Sequence, residues 1–229
     1  MRHPTQEDLV PTFQHQVDRL VSLGYPSLAG LPEDQFLALV EPLRDSAASL
    51  EGEDSPSAVP FVLVVTRDLV PPEQTVPMLR LWGPRGPGSQ PGLVDRNHAE
   101  GDLAGYHPAA DCTPPGAAYL LVGVERGEEF CNVRPEEATR TIRDRGRSPL
   151  TIDEGIALVT QVPQVLEKNK CFMLAGSRRH DRRVPALWIS ERAPKLGWCW
   201  DGNPHTWLGT ASASARLPTA VTSATSAPD

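Results

Sequence analysis

Phe61-Val-Leu-Val-Val65 decides the fold class. Five apolar residues follow Pro60, three of them valine, and a short run of this kind bounded by a proline reads as a buried strand. Upstream the apolar residues recur at helical spacing instead. In Thr12–Gly24, Phe13, Val17, Leu20 and Val21 fall on one face, with Thr12 placed to cap the start and Gly24 to end the helix. In Pro32–Leu43, Phe36, Leu39, Val40 and Leu43 do the same, and Glu33 and Asp34 complement the positive helix end. The link between them is short enough for a helical hairpin. Glu51–Ser57 is polar and acidic and reads as a linker.

Downstream, strands outnumber connecting helices. Val76–Trp82 reads as a weak second strand and Gly83–Gly92, dense in Gly and Pro, as a mobile loop whose role the sequence leaves open. Residues 93–116 read as irregular. Ala117–Glu125 is a strand, Arg126-Gly127 a tight turn, and Glu129–Val133 the expected return strand. Pro135–Arg145 is a polar helix, and Thr151-Ile-Asp-Glu154 is a capping box that opens another, ended by Pro163. Strands then follow at Cys171–Ala175, Val184–Ile189 and Gly197–Trp200, with a loop at Gly176–Arg183. The expected architecture is α+β: a mostly antiparallel sheet with a few helices, preceded by a small N-terminal helical hairpin. The divisions are an acidic helical region at 1–55, an α+β body at 56–217 and a disordered tail at 218–229, small and polar from Leu217 on.

The charge distribution bounds the partners. Residues 1–60 hold 3 Lys+Arg against 10 Asp+Glu, whereas residues 61–229 hold 19 of each, so the whole net charge of −7 sits in the N-terminal quarter. Such a chain repels a phosphate backbone, and nucleic acid is not an expected partner. No apolar stretch nears the ~18 residues of a spanning helix, so no membrane partner is expected. The N-terminus carries no signal-like apolar run. The four cysteines, at 112, 131, 171 and 199, never form a C-x-x-C and read as reduced thiols of a cytoplasmic protein. Nothing in the sequence fixes an oligomeric state or a cofactor.

Two segments could carry chemistry. The first is Gly197-Trp-Cys-Trp-Asp-Gly-Asn-Pro-His-Thr-Trp-Leu-Gly209, with three of the five tryptophans within ten residues. It reads either as an aromatic hairpin filling the core or as a pocket wall of indoles. Cys199 and His205 supply a thiol and a base, with Asp201 or Asn203 to orient the ring, provided the thiol reaches the imidazole. The second is Gly176-Ser-Arg-Arg-His-Asp-Arg-Arg183, whose guanidinium forks suit a carboxylate or phosphate. Its alternative reading is a solvated loop in which Asp181 pairs a neighbouring arginine. No residues show the paired spacing of a metal site, and no G-x-S-x-G, H-E-x-x-H or G-x-G-x-x-G occurs.

Four motifs together carry a resemblance: Arg147-Ser-Pro-Leu-Thr-Ile-Asp-Glu-Gly155, Gly176-Ser-Arg-Arg179, Asp181-Arg-Arg-Val-Pro-Ala-Leu-Trp-Ile-Ser190 and Leu196–Gly209. Over about residues 12–217 the chain resembles an actinobacterial protein family known only as a domain of unknown function. The resemblance implies a bacterial cytosolic protein and transfers no activity, cofactor or catalytic residue. Gly83–Gly92 has no counterpart in it and reads as a local insertion.

Three functions are expected in turn. The first is a non-catalytic binder of a small anionic or aromatic ligand, in a pocket lined by Trp188, Trp198, Trp200 and Trp207. Arg178, Arg182 and Arg183 would hold an anionic group there, and Asn203 or His205 would add a polar contact. The second is a small-molecule transferase or hydrolase using Cys199, His205 and Asp201. The third is an interaction module whose acidic N-terminal helices dock a basic partner.

Overall fold

The computed structural model describes residues 11–50, 59–83 and 86–219. The linker expected at Glu51–Ser57 and most of the expected tail lie outside the described residues.

Two sheets and one buried helix make the frame. Strands β1 (Val59–Val65), β6 (Ala118–Val124) and β14 (Ala215–Pro218) form an antiparallel sheet with β6 in the middle. Valines and leucines of β1 and β6 are buried on both faces, which is why the strand at 61–65 has no polar alternation. One face packs on α1 (Phe13–Ser22), α2 (Tyr25–Leu28), α3 (Glu33–Val40) and α4 (Arg44–Leu50), so Phe13, Phe36 and Leu43 share one apolar layer with Phe61, Leu63 and Leu120. The other face, with Val62, Val64, Tyr119 and Leu121, lies in the main core. That core also takes in helix α7 (Ile152–Gln161) and a five-stranded sheet. Its strands run in the order β12 (Leu208–Thr210), β8 (Cys171–Met173), β10 (Arg183–Ser190), β11 (Ala193–Trp200) and β4 (Leu93–Val94). Its β10–β11 and β10–β8 pairs are antiparallel, and the β12 and β4 edges are parallel. Short ladders pair β2 (Trp82–Gly83) with β3 (Gly86–Pro87), β5 (His107–Pro108) with β9 (Ser177–Arg178), and β7 (Ser148–Pro149) with β13 (Ser212–Ala213). Single-turn α5 (Pro72–Thr75) and helix α6 (Pro135–Asp144) complete the regular structure. The class is α+β, mostly antiparallel, with a helical N-terminal segment.

Some local expectations change. The return strand at Glu129–Val133 is absent: Glu128–Phe130 is a 3₁₀ turn, because both sides of β6 are already taken by β1 and β14. Val76–Met78 is also 3₁₀, and of the expected second strand only Trp82 pairs, in a short ladder that runs on into Gly83 of the expected loop; Pro77 lacks the donor a ladder needs. The chain stays in strand β14 to Pro218 rather than fraying from Leu217. Helix α4 gave no sequence signal, since only Ala47 of its seven residues is buried.

Helix α7 is buried at all ten positions. The capping box forms as expected: Thr151 Oγ1 accepts from the Glu154 N–H at 3.3 Å and Glu154 Oε2 accepts from the Thr151 N–H at 2.7 Å. Glu154 does more than cap. It is fully buried, and Arg216 of β14 donates to both its oxygens, at 2.6 and 2.9 Å, while the Tyr119 hydroxyl donates to Oε1 at 2.6 Å. Arg216 spends its other N–H groups on Ser148 Oγ and the carbonyls of Asp111 and Pro149. The neighbouring Asp153 is held in the same way by Arg67, with N–O distances from 2.7 to 3.1 Å, and Arg67 also donates to the carbonyls of Leu103 and Tyr106. At the other end, Arg19 of α1 donates to the free carbonyls of Thr160 and Gln161. Buried Gln16 accepts from the Leu63 N–H at 2.7 Å and donates to the Phe61 carbonyl at 3.3 Å, closing the open edge of β1.

Removing one partner of a buried ion pair leaves the other charge stranded. Arg216→Met is expected to lower the unfolding free energy by about 3–5 kcal/mol, measured by urea denaturation. A loss under about 1 kcal/mol, the range of exposed pairs, would show that the Glu154 clamp is dispensable.

Candidate functional site

The tryptophans are distributed by the register of one hairpin. Strands β10 and β11 are joined by Glu191-Arg192, both left-handed (φ 53° and 64°), as a two-residue hairpin turn requires. That turn pairs Trp188 with Lys195, Val184 with Cys199, Pro185 with Trp198 and Arg183 with Trp200. Directly paired residues share a face. Trp188 therefore lies on the Lys195–Gly197–Cys199 face, and Trp198 and Trp200 lie on the other. Gly197 is needed there, because a Cβ would sit 2.0 Å from the Trp188 ring. Trp188 meets Trp207 edge to face at 6.3 Å, and Trp207 meets His205 at 5.7 Å. The expected lining of four tryptophans is thus corrected to two separate pairs, Trp188 with Trp207 and Trp198 with Trp200.

The second pair forms a rigid step. Trp198 and Trp200 meet edge to face with centroids 4.8 Å apart. Trp198 is fixed from two further directions: its Nε1 donates to the Asn97 carbonyl at 3.1 Å, and the Arg183 guanidinium stacks 5.3 Å from its ring centroid. Trp200 is 48% exposed. Asn203 is also exposed, and its N–H donates to the Trp200 carbonyl at 3.0 Å, closing the turn.

The arginine loop reaches this step, but its cations are committed. Arg183 pairs with Asp181 at 2.7 Å and Asp102 at 3.0 Å; Arg179 pairs with Asp102 at 2.9 Å; Arg178 pairs with Asp201 at 3.2 Å; Arg182 pairs with Glu136 at 3.2 Å. The hydrogen bond from Arg179 and the neighbouring guanidinium charges hold the Asp102 carboxyl down to about 2, so it stays ionised. The Arg179 guanidinium also stacks on the Tyr106 ring, 5.2 Å from its centroid. Asp102, Tyr106, Asn97 and His98 all come from the stretch that reads as irregular. Only the spacing His98, Asp102, Tyr106 hints that one side of it is used.

The thiol scheme does not assemble. Burial alone pushes the Cys199 thiol up to about 12. The Asp201 carboxylate points to Arg178, and His205 Nε2 is buried with no hydrogen-bond partner. Cys112, fully buried, is likewise pushed up to about 12, and burial raises Cys131 and Cys171. Among the described residues, no group of three or more His, Cys, Asp and Glu is placed to hold a metal ion.

A depression of about 420 Å³ lies elsewhere, lined by Asp111, Arg147, Ser148, Ser214 and Arg216. Its arginines face inward: Arg216 is spent on Glu154 and backbone, and Arg147 on Ser212 and the Gly123 carbonyl. It offers a ligand shape but few free donors.

With every thiol raised, iodoacetamide at pH 7.5 is expected to label Cys199 only as fast as the protein unfolds. Rapid labelling of Cys199 in the native state would restore it as a nucleophile.

No helix among the described residues is long and apolar enough to cross a membrane. Comparison with curated proteins and with solved structures finds no match to the chain. The profile of one family does match, over residues 19–219, nearly the whole described length and all four motifs quoted above. The chain belongs to that family, the family of unknown function DUF5701.

Proposed function

We propose that this protein is a non-catalytic binder whose contact surface is the Trp198–Trp200 step, and that its ligand carries a flat aromatic group. One observation carries the reading: a half-exposed indole, Trp200, is held edge-on against a second indole that is itself locked by a hydrogen bond and a stacked guanidinium. Exposing that much apolar surface loses burial energy of about 25 cal/mol for each Å² left in water. A pre-formed aromatic surface recovers it on binding with little ordering entropy. The pairing of all four loop arginines favours the aromatic over the anionic form of the ligand. An anionic substituent would meet only Arg182, whose side chain is 67% exposed, at the rim. The four free cysteines fit a reducing compartment, the bacterial cytoplasm in this reading.

Naphthalene-2-carboxylate, adenosine and indole-3-acetate test the reading, with binding followed by tryptophan fluorescence and thermal shift. At least one is expected to bind. Trp200→Ala should weaken that binding at least tenfold, about 1.4 kcal/mol, with the fold intact by circular dichroism. Trp188→Phe, on the opposite face of the hairpin, should leave it unchanged. Equal losses in both variants, or no binding by any probe, would refute the assignment.

A further inference from the structure

His98 lies beneath the aromatic step, with a side chain only 1% exposed and neither ring nitrogen hydrogen-bonded. Two acceptors face it, the Gly197 backbone and the Asp102 carboxylate, the latter 3.9 Å from Nδ1. The Tyr106 ring meets it edge to face at 5.8 Å. His98 belongs to a short segment that folds on itself. The Asp95 N–H bonds to the Leu196 carbonyl, Asp95 Oδ1 accepts from Asn97 N–H, the His98 N–H returns to the Asp95 carbonyl, and Asp102 Oδ2 accepts from Ala99 N–H. The same segment supplies the Asn97 carbonyl that holds Trp198 Nε1.

The charges around the ring balance. Asp95 pairs with Lys195 at 3.6 Å, Asp102 with Arg179 and Arg183, and Asp181 with Arg183 at 2.7 Å. Three carboxylates thus face three cations. Every carboxylate near the imidazole already has a partner, so a proton on the ring would add one uncompensated positive charge in a site closed to water.

We propose that residues 95–102 form an acid-released latch on the aromatic step: protonation of buried His98 unbalances the charge cluster around it, the imidazolium turns out to water, and the Asn97 carbonyl releases the Trp198 indole. Burial lowers the affinity of the folded ring for its proton, with the Arg183 charge adding to it, against an opposing pull first from the Gly197 backbone and then from Asp102 and Asp95. The unfolded chain takes this proton near pH 6.5. Neutral His98 therefore contributes stability above that pH, and the contribution is lost as the pH falls below it toward the folded value. Control of ligand binding by the latch rests on the step being the contact surface; the latch movement does not.

The indole N–H resonance of Trp198, assigned by its absence in Trp198→Phe, reads the latch without any ligand. Between pH 7.5 and 5.0 it should move upfield, toward a free indole, with a midpoint below pH 6.5. In His98→Gln it should stay fixed across the range, while the Trp207 resonance beside His205 serves as the internal control. A fixed Trp198 resonance in the wild type, or the same movement in His98→Gln, would overturn the proposal. If His98→Gln does not fold, the wild-type His98 ring decides, assigned through its contact with Tyr106. Titration below pH 6.5 in step with Trp198 supports the latch, and titration above pH 6.5, the mark of a stabilising pair with Asp102, overturns it. Whichever of naphthalene-2-carboxylate, adenosine and indole-3-acetate binds at pH 7.5 should lose affinity at least tenfold by pH 5.5 in the wild type and keep it in His98→Gln. A titrating Trp198 with no probe bound at any pH would support the latch and refute the aromatic-binding function; binding that is equally strong at both pH values with a fixed Trp198 would do the reverse.

Discussion

Helix α7 has no side in water, and two carboxylates sit in its first turn. That combination fixes much else in the molecule. A buried carboxylate is tolerable only when cations and donors surround it. The chain meets the demand with arginines far apart in sequence, Arg67 after β1 for Asp153 and Arg216 in β14 for Glu154. Arg67 then spends a further donor on the carbonyls of Leu103 and Tyr106, and Arg216 its remaining ones on the Ser148 hydroxyl and the carbonyls of Asp111 and Pro149. The helix N-terminus becomes the point at which the three-stranded sheet, through Tyr119 and Arg216, and the stretch at 103–111 are tied together. At the opposite end, Arg19 and Gln161 tie the helix to α1. The approach of α7 to the second sheet is close: a Cβ at Gly155 would stand 2.3 Å from the Leu174 side chain. The sheet that carries the tryptophans is therefore positioned by this one helix.

The parts of this frame with a local cause were readable in the sequence. Phe61–Val65 shows its burial by lacking polar alternation, and Thr151–Glu154 shows its cap by spacing alone. Parts caused by distant partners were not. Glu154 reads as a cap because its fourth-position spacing explains it fully; the ion pair with Arg216 leaves no local trace. The return strand after Gly127 failed for a related reason, since nothing near it reveals that β14 comes back to fill the same edge of β6.

The site was legible in composition and illegible in register. Trp198, Trp200 and Trp207 were singled out by density, and Trp188 was expected to join them in one pocket. Which of them share a face depends on the turn residues of the hairpin, and Glu191-Arg192 lacks the Asn or Gly that usually announces a two-residue turn. Lengthening that turn by one residue would have put Trp188 on the same face as Trp198. The arginine loop was equally visible, but three of its carboxylate partners, Asp102, Glu136 and Asp201, lie outside it. Their effect is to turn a cluster of cations into a balanced, stiff support for an aromatic surface. The same balance makes the neighbourhood of His98 sensitive to one added proton.

Native-state hydrogen exchange on the amides of α7 tests the central claim most directly. If the clamped helix holds the fold together, Gly155–Gln161 should exchange only through global unfolding, with opening free energies equal to that measured by denaturation and the highest in the protein. Exchange of these amides through a cheaper partial opening, while β10 and β11 stay protected, would mean that the sheet stands without the helix and that the buried carboxylates do not organise the structure.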